Sequence, residues 1–181
     1  DRNLGVNFAI GSPFIPLFPV GGTQAEDTFS AATPLLSVAY QFSDNLNGYV
    51  KYSEGFKSGG FNGEYGVVGF TPDVVAGNVA ETKTPFKPEK VKSIEVGLKG
   101  TFLDGALTVN AAAFQNKTKD LQLAIFTAQG AAASVVRNAG KATAKGFELE
   151  TSWRVSDKVR WQMGAGLLDV SYDEFMDGGV N

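Results

Sequence analysis

At 181 residues the chain is long enough for one ordinary domain with a real core, and 16 Lys+Arg against 19 Asp+Glu leave a charge of −3 with no basic patch interleaved with aromatics to suit nucleic acid. Cysteine and histidine are both absent, which removes disulfides, thiolate sites and the commonest general base. Hydrophobic residues make up 43% and no apolar run reaches the length of a membrane helix, so no helical membrane protein is implied; a membrane barrel, whose strands turn alternate residues to lipid and water, stays open.

Residues 1–33 carry no clean period and read as a loop segment, with Phe14 to Pro19 as its proline-broken apolar centre. Strands begin at Pro34: Leu36, Val38, Tyr40 and Phe42 alternate with Ser37, Ala39 and Gln41. Ser43 to Asn47 is a short turn of residues that hydrogen-bond their own backbone, and Gly48 to Phe56 returns as a second strand. A long glycine-rich break is expected from Lys57 to about Pro88.

Val91 to Phe114 is the clearest element of the chain. Ile94, Val96, Leu98 and Phe102 alternate with Glu95, Gly97, Lys99 and Thr101, a period of two that makes one face apolar and the other polar or small. Asp104-Gly105 supplies the two positive φ angles of a tight hairpin turn, and alternation resumes with Leu107, Val109, Ala111 and Ala113. These strands exceed the usual ~5–6 residues and meet the ~9–11 that cross a bilayer at a tilt. Asp120 to Phe126 extends that strand or caps it, and Thr127 to Val136 is a second break. Lys145 to Val155 and the strand from Val159 form a third hairpin around Ser156-Asp157-Lys158, with a bulge expected near Leu167-Leu168, where the phase slips.

Connections therefore alternate short and long: 43–47, 57–90, 104–105, 125–137, 156–158. In an up-and-down meander this gathers the tight turns at one end and the long loops at the other, the asymmetry of outer-membrane barrels. Trp153 and Trp161 flank the last tight turn, where an interfacial aromatic girdle belongs. The expected fold is all-β, an antiparallel meander of about six long strands over residues 34–175, with 1–33 as a loop segment on the extracellular side and 176–181 opening the next loop.

Catalytic chemistry finds little to stand on. Glu148 and Glu150 share one strand face but sit among Lys145 and Arg154, as on a solvated wall. Gly140-Lys141-Ala142-Thr143 lacks the first glycine of a phosphate loop, and Gly63, Gly66 and Gly69 read as loop flexibility. Asp169, Asp173, Glu174 and Asp177 miss the EF-hand spacing. The expectation is no catalytic residue, no metal and no cofactor.

Several stretches resemble TonB-dependent outer-membrane receptors: Tyr49 to Asn62 (YVKYSEGFKSGGFN), Phe86 to Gly100 (FKPEKVKSIEVGLKG), Lys119 to Leu123 (KDLQL), Asn138 to Glu150 (NAGKATAKGFELE) and Asp169 to Phe175 (DVSYDEF), in family order from about Phe29 onward. The resemblance implies a segment of the later half of a 22-stranded barrel, in a bacterial outer membrane, whose lumen holds a plug not seen in this chain. It also implies uptake of a scarce ligand of the siderophore-iron, cobalamin or glycan type with energy passed from the TonB complex through that plug. The partners expected are outer-membrane lipid, the plug and the remaining barrel, TonB, and a small-molecule ligand.

On that reading Lys51, Glu95, Lys99, Glu148, Glu150, Arg154 and Arg160 line the lumen and meet the plug, while Ile94, Val96, Leu98, Phe147, Leu149 and Met163 meet lipid. Ligand contacts are expected from the long loops, with Tyr65 and Phe70 as candidates. Two alternatives stay open at this point: a smaller self-contained β-barrel binding an apolar ligand, and a secreted β-sandwich enzyme. Strand number separates the first, because six open strands cannot close.

Overall fold

A computed structural model describes residues 24–63, 71–127 and 133–175. In chain order its elements are β1 (Leu35–Ser43), β2 (Leu46–Lys57), α1 (Pro72–Lys83), β3 (Glu89–Phe102), β4 (Leu107–Lys119), β5 (Gln122–Thr127), β6 (Ala133–Asn138), β7 (Gly140–Ser156) and β8 (Val159–Phe175). They divide into two contact units. One holds a sheet built from Ala31–Phe56, Lys90–Leu121 and Gly140 onward; the other is formed by the described residues up to Ser30 with Lys57–Glu89 and Gln122–Ala139.

The sheet unit has six antiparallel strands in the order β1-β2-β3-β4-β7-β8. Each strand pairs with its sequence neighbour, except that β4 is followed in the sheet by β7 because β5 and β6 pair with each other. Register is continuous over long stretches. Leu98 lies opposite Ala111, Ala111 opposite Leu149 and Leu149 opposite Ala165. One residue along, Lys99 faces Asn110, Asn110 faces Glu150 and Glu150 faces Gly164. Since successive side chains leave opposite faces, the first row belongs wholly to one face and the second to the other.

Three tight turns close the hairpins at one end. Between β3 and β4, Asp104 (φ 52°) and Gly105 (φ 84°) occupy the two central positions and the Ala106 N–H donates to the Leu103 carbonyl at 2.9 Å. Leu103 is itself left-handed (φ 52°), a conformation a leucine adopts only at a cost. The turns after β1 and β7 are tighter than the sequence indicated, with Ser43 opposite Leu46 and Ser156 opposite Val159, each closed by a register shift.

The bulge expected at Leu167-Leu168 is not there. Phe147 pairs Leu167 and Gly146 pairs Leu168 without a break. The shift falls instead between Lys141 and Ala142, which face Glu174 and Tyr172 and leave Asp173 as the extra residue. The change of parity has another cause: the apolar face ends at Leu167, and Leu168, Val170 and Tyr172 belong to the opposite face.

The second unit corrects the two expected breaks. In 57–90, Pro72 opens α1 at its first turn, where its missing N–H is no loss; Asp73 and Lys83 then suit the two ends of the helix dipole. In 125–137, β5 and β6 pair from Gln122–Asn138 to Thr127–Ala133 as a second, two-stranded sheet. Asp120 to Phe126 therefore does not prolong β4: Asp120 (φ 53°) turns the chain out of the sheet. Val135 and Ala139 are fully enclosed in this unit.

Candidate functional site: two faces of one sheet and an amide-stitched loop unit

Strand parity sorts the side chains before any function is assigned. The alternation Ile94-Val96-Leu98 continues across the pairing into Ala111 and Ala113, then Phe147 and Leu149, then Met163, Ala165 and Leu167. Ile94, Val96 and Leu98 are 51, 47 and 49% exposed, so these aliphatic side chains are not covered by the chain itself. Val38, Tyr40, Phe42, Val50 and Phe147 border a hollow of about 420 Å³ floored by Gly48, Ala111 and Ala113. At the tight-turn edge of this face Trp153 lies opposite Trp161 and Phe102 opposite Leu107. All six residues expected to meet lipid share this face.

The apolar rows stop together. Ile94 is preceded on its face by Lys92, Ala113 is followed by Gln115, Phe147 is preceded by Lys145 and Leu167 is followed by Asp169. The pairs Ile94–Gln115, Gln115–Lys145 and Lys145–Asp169 put that boundary on one register row.

The opposite face holds all seven residues expected to line a lumen, in separate groups. Lys51 reaches Glu95 at 3.0 Å, and the Tyr49 hydroxyl donates to Glu95 Oε1 at 2.8 Å. Lys99 lies 5.4 Å from the centre of the Tyr49 ring, within cation–π range. The ring lies across Gly97, where a Cβ would strike it, so a larger residue at 97 would displace Tyr49 from Glu95. Glu150 borders a shallow polar hollow with Asn110, Ser152 and Gln162, and Glu148 stands opposite Ala112 and Gly166. Arg154 faces Arg160 near the last tight turn. Tyr49 was missed from sequence although it shares its parity with Lys51.

The loop unit is held by side-chain amides acting as backbone. The Asn62 side chain donates to the Val136 carbonyl at 2.8 Å and accepts from the Val136 N–H at 2.7 Å, the pattern of one more strand residue. Asn138 does the same for Lys87, at 2.8 and 2.7 Å. The Gln122 side chain donates to the carbonyls of Ser58 and Lys87, its N–H donates to Glu89, and Arg137 reaches Glu81 at 3.3 Å. These amides escaped the sequence reading because their partners lie up to 74 residues away. Tyr65 and Phe70 lie outside the described residues, as do Gly66, Gly69 and Asp177. Of the other carboxylates considered for a cation, Asp173 accepts from Thr143 at 2.6 Å and Glu174 pairs with Lys141.

A meander of strands long enough to cross a bilayer, apolar on one face, polar on the other and tightly turned at one end only, is the wall of a transmembrane β-barrel. Residues 10–181 match the family described as TonB dependent receptor-like, beta-barrel, and the chain belongs to that family. It is 27% identical over 159 residues to the pesticin receptor of Yersinia enterocolitica, covering 88% of this chain and 20% of the receptor. It is 29% identical over 138 residues to the metal-pseudopaline receptor CntO of Pseudomonas aeruginosa, covering 76% of this chain and 16% of that one. Among solved structures, the ferric yersiniabactin uptake receptor FyuA from Yersinia pestis superposes with a TM-score of 0.60 at 27% identity, over 80% of this chain and 19% of FyuA. The chain thus spans about a fifth of the length of these relatives. Membership places it in the outer membrane of Gram-negative bacteria as a segment of a receptor barrel.

Proposed function

We propose that this chain is part of the barrel wall of an outer-membrane receptor that imports a small metal chelate, of the siderophore-iron type, with energy delivered by TonB. One observation supports the transport reading: from the Val96 row to the tight turns, the in-register strands β3, β4, β7 and β8 keep charged and apolar side chains on separate faces, as a wall between lipid and a wet lumen requires. The ligand class is supported by the relatives, whose names include metal-pseudopaline and ferric-yersiniabactin receptors.

In this reading the Ile94 face meets lipid and the Lys51–Glu95 face meets a plug domain. Mixed charges suit that contact, because exposed ion pairs of this kind exchange readily with water and add little net stability, so a plug held by them can shift on each cycle. The 57–89 and 122–139 segments, which leave the sheet from the ends opposite the tight turns, form the extracellular side and contribute to ligand capture together with residues around Tyr65 and Phe70.

The test is growth of an iron-starved strain lacking its own ferric-chelate receptors, complemented with the receptor that carries this segment and supplied with a panel of ferric chelates. Rescue by at least one chelate, lost when TonB is deleted, is the expected result. Absence of TonB-dependent rescue by every chelate, in cells where the barrel is assembled, overturns the proposal.

A further inference from the structure

Two asparagines in this chain are followed directly by glycine, Asn47-Gly48 and Asn62-Gly63. That dipeptide is chemically labile, because a glycine has no Cβ to keep its own nitrogen away from the side-chain amide before it. The two pairs sit in unlike surroundings. Asn47 and Gly48 lie within β2, opposite Gln41 and Tyr40, and β2 has a neighbouring strand on each side. Ring closure there requires the sheet itself to part. Asn62-Gly63 lies outside every helix and strand.

What fastens this second pair is the Asn62 amide. Its Nδ2 donates to the Val136 carbonyl and its Oδ1 accepts from the Val136 N–H, and only this orientation of the amide satisfies both. Val136 stands opposite Ala124 in the β5–β6 pair, yet both of its backbone groups go to Asn62. It is therefore a position that turns N–H and C=O away from β5, and Asn62 completes that open edge. The Asn62 side of the dipeptide is 9% exposed, while Gly63 beside it is exposed. The attacking residue stands at the surface, and the amide it must reach is clamped.

We propose that Asn62 is a self-modification site: opening of its clamp on β6 frees it for deamidation through Gly63, and the product can no longer close the clamp. The Gly63 nitrogen attacks Asn62 Cγ. A C–N bond forms, the bond from Cγ to Nδ2 breaks, and ammonia leaves with the glycine's amide proton. Water then opens the cyclic imide at either carbonyl and leaves aspartate or isoaspartate at position 62; nothing is oxidised or reduced. A carboxylate offers acceptors only. One of its oxygens would face the Val136 carbonyl, acceptor against acceptor, in a buried site. Conversion therefore works in one direction and leaves position 62 unfastened from β6, which sets a lifetime on the closed arrangement of the loop unit. The inference stands apart from the transport reading, since it uses residues of the loop unit alone.

The test is an ageing series of the detergent-purified receptor carrying this segment, held at mildly alkaline pH. Samples are digested at intervals, and mass spectrometry reads the replacement of amide by carboxyl at each asparagine. A parallel series in urea gives the rates without structure. Unfolded, Asn47 and Asn62 should convert at similar rates. Folded, Asn62 should convert about ten- to a hundredfold more slowly than unfolded, and Asn47 at least about tenfold more slowly again. Gly63→Ala crowds the attacking nitrogen and spares the clamp, so it should slow folded-state conversion several-fold with hydrogen exchange at the Val136 amide unchanged. Asn62→Asp, the product placed directly, should speed that exchange about tenfold or more.

Conversion of Asn62 as fast folded as unfolded, or no faster than that of Asn47, overturns the proposal. Undiminished conversion in Gly63→Ala, or unchanged Val136 exchange in Asn62→Asp, overturns it too. Should Asn62→Asp fail to show the heat-modifiable band of an assembled barrel, exchange is read on the converted fraction of the aged receptor, which assembled before it changed.

Discussion

Leu98→Lys puts a charge on the apolar face at the place where the geometry makes it dearest. The apolar run of β3 on that face extends from Ile94 to Phe102, and Leu98 is its middle residue. Four residues to either edge are ~13 Å of strand, or about 10 Å of depth for a strand tilted ~40°. A lysine cannot lift its ammonium through that depth, and its neighbours across the pairing, Ala111 and then Leu149, offer no acceptor side chain. The cost should therefore approach the full midplane value of ~2–4 kcal/mol. Val96→Lys, only two residues from Ile94, should cost about half as much because the stem can snorkel toward the Lys92 row. Thr101→Lys, on the other face opposite Thr108, should be near neutral. Equilibrium unfolding of the receptor in phospholipid vesicles, read by tryptophan fluorescence and by heat-modifiability, ranks the three. A Thr101 variant as damaging as the Leu98 variant, or a neutral Leu98→Lys, would refute the assignment of faces.

Two further predictions concern other parts of the chain. Asn62→Ala removes both hydrogen bonds to the Val136 backbone from a buried site, and should speed hydrogen exchange at the Val136 amide by an amount equivalent to about 1–3 kcal/mol while leaving barrel assembly unchanged. Gly140→Ala adds a Cβ at φ 129° that meets the Glu174 carbonyl, so the outer end of the β7–β8 pairing should open at a cost of about 1–3 kcal/mol, seen as faster exchange at Leu121, whose N–H donates to the Gly140 carbonyl.

The parts of this fold legible in sequence are those where the two faces differ. Ile94 to Phe102 and Phe147 to Val155 alternate because one side of each strand is apolar and the other is not, and the strict period of two then fixes which residues travel together. Where the contrast fades, the reading fails in a predictable way. Gly140 to Ala144 is strand, but Ala142 and Ala144 set against Lys141 and Thr143 look like loop, and the start of β7 was placed five residues late. Leu167-Leu168 looked like a slip because the apolar character changes face there while the backbone does not. Helix α1 carries no apolar stripe and has Gly77 in its interior, so only Pro72 and the flanking charges marked it. Beyond the edge of the apolar band the Ile94 face turns polar, with Lys92, Gln115, Lys145 and Asp169 on it. The lysines beyond that band obey the same parity: Lys90 and Lys92 are in phase with Ile94, and Lys117 with Ala113.

The same parity bears on where the stability of this wall resides. The buried apolar side chains among the described residues, Val135 and Ala139, both belong to the loop unit, and the sheet encloses none of its own. In the sheet unit the buried positions are Gly48, Gly97, Gly100, Gly140 and Thr143, all small residues, and side chains or backbone lie close over the four glycines. Leu35 to Ser43 in β1 and nearly all of β8 are exposed, as befits strands that each have an edge still to be paired. The hydrophobic contribution that a soluble domain draws from a core must here come from what covers the sheet's two faces. What the segment supplies for itself is register: pairs held in phase by tight turns, with Asp104-Gly105 setting the phase of the central hairpin. A one-residue slip there would put Val96 and Leu98 on the face of Asn110 and Ala112, and Glu95 and Lys99 on the face of Ala111 and Ala113. The turn therefore protects the insertion energy of every strand paired beyond it, and the left-handed strain at Leu103 is small against that.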